Sequence, residues 1–398
     1  MRDEQAAMPS LKVLLHYPVL NAGGAERSTL RLLAGLADRG CEVHLVLTVA
    51  GGQLEHEIDP RVTVHHLRDT VGNLPARISG IGSAWRFATG AVQWVRGRLQ
   101  QAWRSRHFAG MRFDAAIVGL HGLSPAFVCR LTARCRLVMV RSDAADDGLG
   151  RLARNIAAYE SRIDHYVCVS QSVLDSLVGR FPQTRAKAIR IYNLIDPEAM
   201  RRAAAMATNP FEDTESVFRV ISVCRLQESQ KALLRMVEVH RRLLGTGHRH
   251  EWHVLGDGPD RSLLERAIAQ QGVAGTFILH GAVANPLRFY PYADVCAVLS
   301  YIEGLSGVVN EARVLERPLI ATRFAGIEEQ VTHGVNGWIA EQDVQSICDG
   351  LARLIRDPAL RERLARGGYP QALLDDELKL DALLELIVDA SPAAAGIR

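Results

Sequence analysis

Lysine is scarce in this 398-residue sequence: of 47 basic residues only Lys12, Lys187, Lys231 and Lys379 are lysine. Such a bias is typical of a GC-rich coding sequence and by itself indicates no function. Long apolar runs are also absent, since no stretch approaches the ~18 to 20 apolar residues of a membrane-spanning helix. The first residues carry acidic side chains and no small-residue cleavage site, so they do not resemble a signal peptide. We therefore expect a cytoplasmic protein.

Cysteine pairs with metal-binding spacing are absent as well. The seven cysteines are odd in number and scattered, and none forms a CxxC pair. Most lie in apolar, strand-like runs such as VISVC and ADVCAVL. This pattern predicts buried, reduced thiols.

The length and the charge of the chain indicate two unlike halves. A chain of 398 residues exceeds the size at which one hydrophobic core stops growing, so two domains of roughly 200 residues each are expected. Residues 1–200 contain 25 Lys and Arg against 18 Asp and Glu, whereas residues 201–398 contain 22 against 26. The amino-terminal half is therefore the one expected to face an anionic partner.

Strand and helix patterns repeat in both halves. The chain opens with the apolar run LKVLLHYPVL, the glycine turn NAGGAERS, a helix-patterned stretch closed by Gly40, and the strand CEVHLVLTV, which together form a βαβ unit. Further strands are predicted at 62–67, 114–119, 136–141, 165–170, 188–193, 217–224, 276–281, 294–300, 318–324 and 337–340, and a strand followed by a turn is predicted at 251–259. Further helices are predicted at 230–244, 260–271, 343–356, 358–366 and 372–389.

These patterns predict an α/β fold of two Rossmann-like, doubly wound parallel-sheet domains that face each other across a cleft. The predicted domains are residues 1–200 and 217–398, joined by a polar, alanine-rich linker at 201–216. We expect the last helix, about 372–389, to pack back on the amino-terminal domain. Ligands in such sheets bind beyond the carboxyl ends of the strands, so the candidate site residues are those that follow strands.

Two glycine turns follow predicted strands. Gly23 and Gly24 precede the first helix, where the backbone can approach a ligand and helix amides point at an anion. A tight turn that needs glycine for its geometry alone explains this motif equally well. Gly256 and Gly258 of HVLGDGPD follow a later strand. A β-turn accounts for most of that motif, although Gly258 is also suited to lie against a planar base.

Two cations and one histidine also stand at strand ends. Arg225 follows the strand VFRVISVC and Lys231 begins the next helix, an arrangement that suits a diphosphate, whose charge each cation would offset. Two ordinary surface cations are the alternative, but lysine in a chain that prefers arginine favours the diphosphate. His121 ends the strand of AAIVGLHGLSP at the lip of the cleft. A lone histidine is more often a structural hydrogen-bonding group than a catalyst.

The stretch YIEGLSGVVNEA, residues 301–312, places a glutamate on each side of a short turn. Glu303 follows a strand, Gly304 to Gly307 form the turn, and Glu311 lies in the second turn of the helix that begins near 307. An ion pair, a metal site, a general acid and base, or two acceptors for sugar and ribose hydroxyls all fit such a pair. A metal pair lacks a histidine or third carboxylate in register. The helix amino terminus would hold an anion between the two carboxylates.

Together these motifs resemble the retaining nucleotide-sugar glycosyltransferases of family 4, which have the GT-B architecture of two Rossmann-like domains. Among them the chain is similar to bacterial lipopolysaccharide and exopolysaccharide assembly enzymes. The resemblance rests on the E-x7-E pair Glu303 and Glu311, on Arg225 and Lys231, and on GDGP (256–259), NAGGAER (21–27), YNLID (192–196) and GVNGWI (334–339). These motifs occur in the family's order over about residues 10–345.

The resemblance implies a role for each of these residues. Arg225 and Lys231 would hold the donor diphosphate and stabilise the leaving nucleotide, Glu311 would accept hydrogen bonds from the ribose hydroxyls, and Glu303 would contact the transferred sugar. Further donor contacts would come from Leu305, Ser306, Gly307, Gly256, Gly258, Gly23 and Gly24, with His121 beside the donor sugar. Because two cations and a helix end supply the positive charge, we expect neither a cofactor nor a divalent metal.

Three departures from the family pattern bear on the donor. Cys224 stands where the family has glycine before the arginine, GLSG follows Glu303, and AGIEEQV replaces a turn richer in glycine. The first two touch the donor site, so the sequence does not identify the sugar, whereas the nucleotide contacts are all present.

Residues 70–113 are the most basic stretch of the chain. They contain no acidic residue, seven arginines, and Trp85, Trp94 and Trp103. Tryptophan and arginine suit an anionic interface, so residues 77–112 are predicted to contact a membrane surface or a lipid-linked acceptor. A plain basic helical surface is the alternative, because Trp94 lies about 180° around a continuous helix from the other two. No nucleic-acid module accompanies these residues, and no nucleic acid is expected.

The sequence therefore predicts a hexosyltransferase-type glycosyltransferase, EC 2.4. It would move a sugar from a nucleoside diphosphate, with UDP favoured, to a hydroxyl of a lipid-linked or cell-surface saccharide, as a peripheral protein at the inner face of the cytoplasmic membrane. A nucleotide-sugar 2-epimerase of the same architecture is one alternative, against which the E-x7-E pair and the basic surface argue. A catalytically idle saccharide-binding relative is the other, disfavoured because every charged donor contact is retained.

Overall fold

A computed structural model describes residues 11–21, 23–68, 106–144, 150–205, 209–211 and 217–390. Within these ranges the chain forms two parallel sheets, and each sheet gathers its strands from one half of the sequence. Helices pack on both sheets, which confirms the predicted α/β class with two doubly wound domains.

The amino-terminal sheet has seven strands in the order β3-β2-β1-β4-β5-β6-β7. Their bounds are β1 Lys12–Tyr17, β2 Glu42–Leu47, β3 Thr63–His66, β4 Arg112–Val118, β5 Thr132–Val140, β6 His165–Cys168 and β7 Ala188–Arg190. The helices described with this sheet are α1 Gly24–Asp38, α2 Arg151–Tyr159, α3 Gln171–Arg180 and α4 Pro197–Ala205. The strand order reverses between β1 and β4, which makes their carboxyl ends the expected edge for a ligand.

The carboxy-terminal sheet has six strands in the order β10-β9-β8-β11-β12-β13. Their bounds are β8 Arg219–Val223, β9 Glu251–Leu255, β10 Phe277–Gly281, β11 Val295–Val298, β12 Leu319–Thr322 and β13 Trp338–Ala340. The accompanying helices are α5 Glu228–Lys231, α6 Leu233–Gly245, α7 Arg261–Gln270, α8 Gly307–Val314, α9 Ile327–Gln330, α10 Val344–Arg356, α11 Pro358–Ala365, α12 Gln371–Leu374 and α13 Asp376–Asp389. The order reverses between β8 and β11, the two strands that carry the predicted donor residues.

Burial on both faces explains the continuous apolar strands. In β1, Val13 and Leu15 pack in the cluster on one side of the sheet, while Leu14 packs in the cluster on the other, and all three are fully buried. A strand covered by helices on both faces has no solvent side, so its sequence does not alternate. This is why the strands could be located from apolar runs alone.

The structure differs from the sequence prediction in the helix predicted at 230–244. That helix is broken at Ala232, which adopts the left-handed conformation with φ 52°, so Lys231 ends the short α5 and Leu233 begins α6. Ala232 is fully buried. The break places the Lys231 side chain at the strand edge.

The predicted linker at 201–216 is shorter than expected, because residues 201–205 complete α4. The alanine-rich sequence has high helix propensity. Met200 of the same helix is buried against the nearby Ile195 and against Val314, which belongs to the carboxy-terminal domain. The rest of the linker lies largely outside the described residues.

Helix α13 belongs in space to the amino-terminal domain, although it ends the described chain. Its Leu380, Leu383 and Ile387 pack in the cluster formed by β1, β2 and α1. Arg39 donates hydrogen bonds to Glu377 and Asp381 of this helix. The carboxy-terminal segment therefore crosses back and ties the two domains together.

Candidate active site

The predicted site residues lie at the carboxyl ends of the strands, on the edge where the two sheets face each other. Arg225 follows β8, Glu303 follows β11, and His121 follows β4. The domains are in contact at this edge, because a Cβ atom on Gly304 would lie 2.3 Å from the Arg141 carbonyl oxygen of the amino-terminal domain. Gly304 is therefore required by the approach of the two backbones.

Lys231 and Glu303 form an ion pair at the centre of the site. The Lys231 Nζ atom lies 2.5 Å from Glu303 Oε1, and the Ser300 hydroxyl donates to the same oxygen at 2.7 Å. The side chains are only 19% and 15% exposed. Burial alone would lower the pKa of Lys231, but the Glu303 carboxylate outweighs it and raises that pKa above its ordinary value. Lys231 is therefore held as a cation, and the cleft contains a carboxylate beside it.

Arg225 is exposed at the end of β8, across the cleft from the first turn of α1. Its positive charge acts on the Glu26 carboxylate of that turn. Burial raises the pKa of Glu26, while its own backbone N–H and the charges of Arg141 and Arg225 oppose the shift. Sequence reasoning noted Glu26 only as part of the glycine motif, and the structure places it at the cleft.

Glu311 is held by a buried tyrosine. The Tyr290 hydroxyl donates to Glu311 Oε2 at 2.7 Å, and Tyr290 is fully buried. Burial raises the pKa of Glu311, whereas the Tyr290 hydrogen bond and the positive charges of Arg31 and Arg27 lower it. Arg27 and Arg31 come from α1, so cations of the amino-terminal domain face this carboxylate. The sequence prediction missed Tyr290 because no motif marks its segment, RFYPY.

The loop between the two glutamates presents the amino terminus of α8 to the cleft. The Ser306 amide already donates to the side chain of Gln330 at 2.9 Å, so it is engaged within the protein. Gly307 is exposed with open space around it. The amides of the first helical turn, beginning with Gly307, have no partner within their own helix and are the ones suited to an anion.

The Leu305 side chain packs away from solvent, so any donor contact of this residue would come from its backbone amide. Its side chain is 8% exposed and packs in a core cluster of the amino-terminal domain. Leu305 is therefore a point of contact between the two domains. The sequence could not reveal this contact, because most residues that surround Leu305 come from the other half of the chain.

The glycines of GDGP serve close backbone packing. A Cβ atom on Gly256 would lie 1.9 Å from the Cys224 carbonyl oxygen, and one on Gly258 would lie 2.5 Å from the Leu226 carbonyl oxygen. Gly256 also has φ 139°, which side chains rarely adopt. The two glycines therefore let the loop after β9 lie against the loop that carries Arg225. Burial raises the pKa of the Cys224 thiol to about 12, so Cys224 is present as an uncharged thiol.

His121 has a hydrogen-bond partner at each ring nitrogen. The Arg141 backbone N–H donates to His121 Nδ1 at 3.3 Å, and His121 Nε2 lies 3.2 Å from the Ser142 hydroxyl. The Asn155 side chain donates to the His121 carbonyl at 3.1 Å and fixes the loop. Both contacts place the imidazole beside the Arg141–Gly304 contact between the domains.

Gly23 and Gly24 lie at the amino terminus of α1, on the amino-terminal domain's side of the cleft. Gly23 is the residue that precedes α1, and a Cβ atom there would lie 2.3 Å from Glu26 Oε2. At Gly24, no heavy atom of the described residues beyond its chain neighbours and its own helix backbone lies within 4 Å of the position of a Cβ. A side chain at Gly23 would displace the end of the flexible Glu26 side chain, whereas a side chain at Gly24 would meet open space.

The described residues contain no cluster of three or more His, Cys, Asp or Glu side chains that could hold a metal ion. In the same part of the chain no helix combines the length and the apolar character needed to cross a bilayer. Residues 77–105 of the predicted membrane-contacting segment lie outside the described residues, so that contact stays a prediction, as does the metal-free reaction.

The paired sheets and this site define a GT-B glycosyltransferase. The Glycosyltransferase Family 4 model matches residues 22–199, and the model described as Glycosyl transferases group 1 matches residues 217–357. The chain belongs to this glycosyltransferase family, and the matched residues span both sheets.

Individual relatives agree with this assignment. The α-D-kanosaminyltransferase of Streptomyces kanamyceticus is 25% identical over 85% of this chain and 92% of its own length. The lipopolysaccharide core biosynthesis glycosyltransferase LpsE of Rhizobium meliloti is 28% identical over 42% of this chain and 49% of its own length.

Solved structures share the fold at lower identity. A mutant of Staphylococcus aureus TarM in complex with fondaparinux, α-GlcNAc-glycerol and UDP superposes with a TM-score of 0.72 at 11% identity, over 95% of this chain and 99% of that one. Anabaena Alr3699/HepE in complex with UDP superposes with a TM-score of 0.68 at 16% identity, over 95% and 100%.

Proposed function

We propose that this glycosyltransferase is a retaining enzyme that uses a nucleoside diphosphate sugar, with UDP favoured, and a hydroxyl of a lipid-linked or cell-surface saccharide. The observation that carries the proposal is the Lys231–Glu303 ion pair at 2.5 Å, set at the amino terminus of α8 with Arg225 on the neighbouring strand end. A cation paired with a carboxylate at a helix amino terminus suits a substrate in which a diphosphate adjoins a sugar.

The donor diphosphate would lie between Arg225, Lys231 and the first amides of α8. Binding would bring the phosphate oxygens to the Lys231 ammonium, which would hold both the phosphate and Glu303. When the bond between the anomeric carbon and the phosphate oxygen breaks, the electron pair leaves with the nucleotide. The two cations and the helix end would stabilise that charge as it develops.

The acceptor hydroxyl would form the new bond on the face of the sugar that the phosphate leaves. Its proton would pass to the departing phosphate oxygen, so that no separate base is needed and the anomeric configuration is retained. No divalent metal is required in this scheme because the protein itself supplies the positive charge.

Glu311 would bind the ribose hydroxyls. Its Oε2 is occupied by Tyr290, so the carboxylate is fixed in orientation and its other oxygen is suited to the nucleotide. Glu303 would accept hydrogen bonds from the sugar hydroxyls, and His121 would lie beside the sugar at the domain contact.

The preference for UDP and for a saccharide acceptor is supported by the relatives. Alr3699/HepE and TarM were solved with UDP, and LpsE acts in lipopolysaccharide core biosynthesis. The basic segment 77–112 supports an acceptor that is anionic or held at an anionic surface, at the inner face of the cytoplasmic membrane.

Nuclear magnetic resonance of the purified protein with a panel of nucleotide sugars tests this function. We expect slow hydrolysis of one donor to free nucleotide, abolished by Lys231→Ala or Glu311→Ala. Hydrolysis should be unchanged by Lys187→Ala, which removes a lysine that pairs with Glu160 and not with a predicted site residue. Isomerised intact donor would point to the epimerase, and binding without turnover would point to the idle relative. If neither site substitution weakened nucleotide binding, the site assignment would be wrong.

A further inference from the structure

We propose that Glu329 is a positioning residue that couples closure of the two domains to the shape of the donor loop, residues 303–307. Glu329 belongs to α9 of the carboxy-terminal domain, and the three hydrogen-bond partners that the structure gives it are not among the predicted donor residues. The inference rests on the proposed function for its effect on turnover, while its effect on domain closure can be measured independently.

Glu329 binds three hydrogen-bond donors of the amino-terminal domain. Its Oε2 accepts from the Gln171 amide at 2.8 Å and from the Tyr192 hydroxyl at 3.0 Å, and its Oε1 accepts from the Ser172 amide at 3.0 Å. The two amides are in the first turn of α3, where backbone N–H groups lack partners within the helix and a negative charge is favourable. The carboxylate therefore caps a helix of the opposite domain.

The next residue holds the donor loop from within its own domain. Gln330 is fully buried, and its side chain accepts from the Ser306 amide and donates to the Ser306 carbonyl, both at 2.9 Å. Glu329 and Gln330 are consecutive in the four-residue α9, so one short helix carries both the cap on α3 and the hydrogen bonds to Ser306.

The amino-terminal domain also contacts the donor loop, at Gly304. The Ser170 hydroxyl, at the start of α3, donates to the Gly304 carbonyl at 2.8 Å and accepts from the Val173 amide at 3.1 Å. A Cβ atom on Gly304 would also lie 2.3 Å from the Arg141 carbonyl oxygen. The loop between Glu303 and α8 is therefore bound by both domains at once.

Separation of the domains would break these contacts together. Glu329 would lose all three donors, and Ser170 would leave the Gly304 carbonyl, so the residue next to Glu303 would lose its outer support. The nucleotide contacts assigned to Arg225, Lys231 and Glu311 all belong to the carboxy-terminal domain and would persist. Loss of the Glu329 cap should therefore slow turnover much more than it weakens nucleotide binding.

The neighbouring glutamate provides a matched control. Glu328 is exposed in the same helix, and within the described residues its ion-pair partner is Arg323 of its own domain. Glu328→Ala thus removes one carboxylate from α9 without touching the domain contact. Glu329→Gln is the conservative variant, since its amide oxygen can still accept from one donor of α3.

The experiment compares Glu329→Ala, Glu329→Gln and Glu328→Ala with the wild-type protein. Turnover is measured as UDP release from whichever of UDP-glucose and UDP-N-acetylglucosamine the wild type hydrolyses faster, and nucleotide affinity is measured by calorimetry with UDP. For Glu329→Ala we expect kcat at least about tenfold lower with the UDP Kd within about twofold, for Glu329→Gln an intermediate kcat, and for Glu328→Ala values within about twofold of wild type. Equal kcat in Glu329→Ala and Glu328→Ala would overturn the proposal, as would a loss of UDP affinity as large as the loss of kcat.

Small-angle X-ray scattering in the presence of UDP separates this inference from the proposed function. We expect a larger radius of gyration for Glu329→Ala than for wild type or Glu328→Ala. If the wild type released no UDP, the proposed function would fail, and the scattering result would still decide whether Glu329 holds the domains closed. Identical scattering of all variants would refute the role of Glu329 in closure.

Discussion

Replacement of Lys231 by methionine should separate the structural from the chemical role of the Lys231–Glu303 pair. In Lys231→Met the Glu303 carboxylate loses the ammonium and, among its partners in the described residues, keeps the Ser300 hydroxyl at 2.7 Å. Breaking a fully buried pair by removing one partner destabilises a protein by about 3–5 kcal/mol. Since the side chains retain 19% and 15% exposure, we expect about 2–3 kcal/mol, or a fall of about 5 °C in the thermal unfolding midpoint.

The double variant Lys231→Met/Glu303→Gln completes the test. It leaves no unpaired charge, so most of the lost stability should return. Activity should not return, because the ammonium assigned to the diphosphate is still missing. Loss of a charge-assisted hydrogen bond of about 1.5–3 kcal/mol corresponds to a release of nucleotide about 10- to 150-fold slower.

The measurements are thermal unfolding and nucleotide release from a UDP-sugar for wild type, both single variants and the double variant. The reasoning would be refuted if Lys231→Met unfolded at the wild-type temperature or released nucleotide at the wild-type rate. It would also be refuted if the double variant recovered activity together with stability.

Three further predictions concern other parts of the molecule. Tyr290→Phe removes the 2.7 Å hydrogen bond to Glu311 and should weaken UDP binding in calorimetry by about tenfold; an unchanged Kd would contradict the ribose assignment. Gly304→Ala would place a Cβ 2.3 Å from a carbonyl oxygen of the other domain, so turnover should fall by at least about tenfold, and wild-type turnover would show that the domains need not touch there. Burial lowers the pKa of His16 and of His240 from 6.5 to about 3; the unfolded chain therefore binds protons first, and each histidine should remove about 2 kcal/mol of stability as the pH falls from 7 to 5. A thermal midpoint that falls less between pH 7 and 5 in His16→Asn/His240→Asn than in wild type would assign that part of the effect to these two groups, whereas an equal fall in both would refute it.

The fold was predictable because each strand is marked by an apolar run in its own local sequence. Both faces of β1 are buried, so the run LKVLLHY is apolar throughout and marks a strand without any knowledge of its neighbours. The positions of Arg225 and Glu303 followed from the same logic, since each directly follows such a run. Helix ends were less predictable: the break at Ala232 depends on tertiary packing, and nothing in KALLRM signals it.

The partners of the site residues could not be predicted, because they are distant in the chain. Tyr290 meets Glu311 through the packing of two segments, and the sequence around it has no turn or motif signal. The capping of α3 by Glu329 joins residues 158 positions apart along the chain. A sequence pattern shows that a carboxylate follows a turn, but only the packed domains show what the carboxylate binds.

The anomeric configuration of the first sugar released tests the central claim most directly. The protein is mixed with its UDP-α-sugar donor, water acts as acceptor, and proton NMR follows the anomeric signals before mutarotation equilibrates them. Retention predicts that free UDP appears together with the α-anomer of the sugar. Initial appearance of the β-anomer, or isomerisation of the intact donor without free UDP, would contradict a retaining transferase.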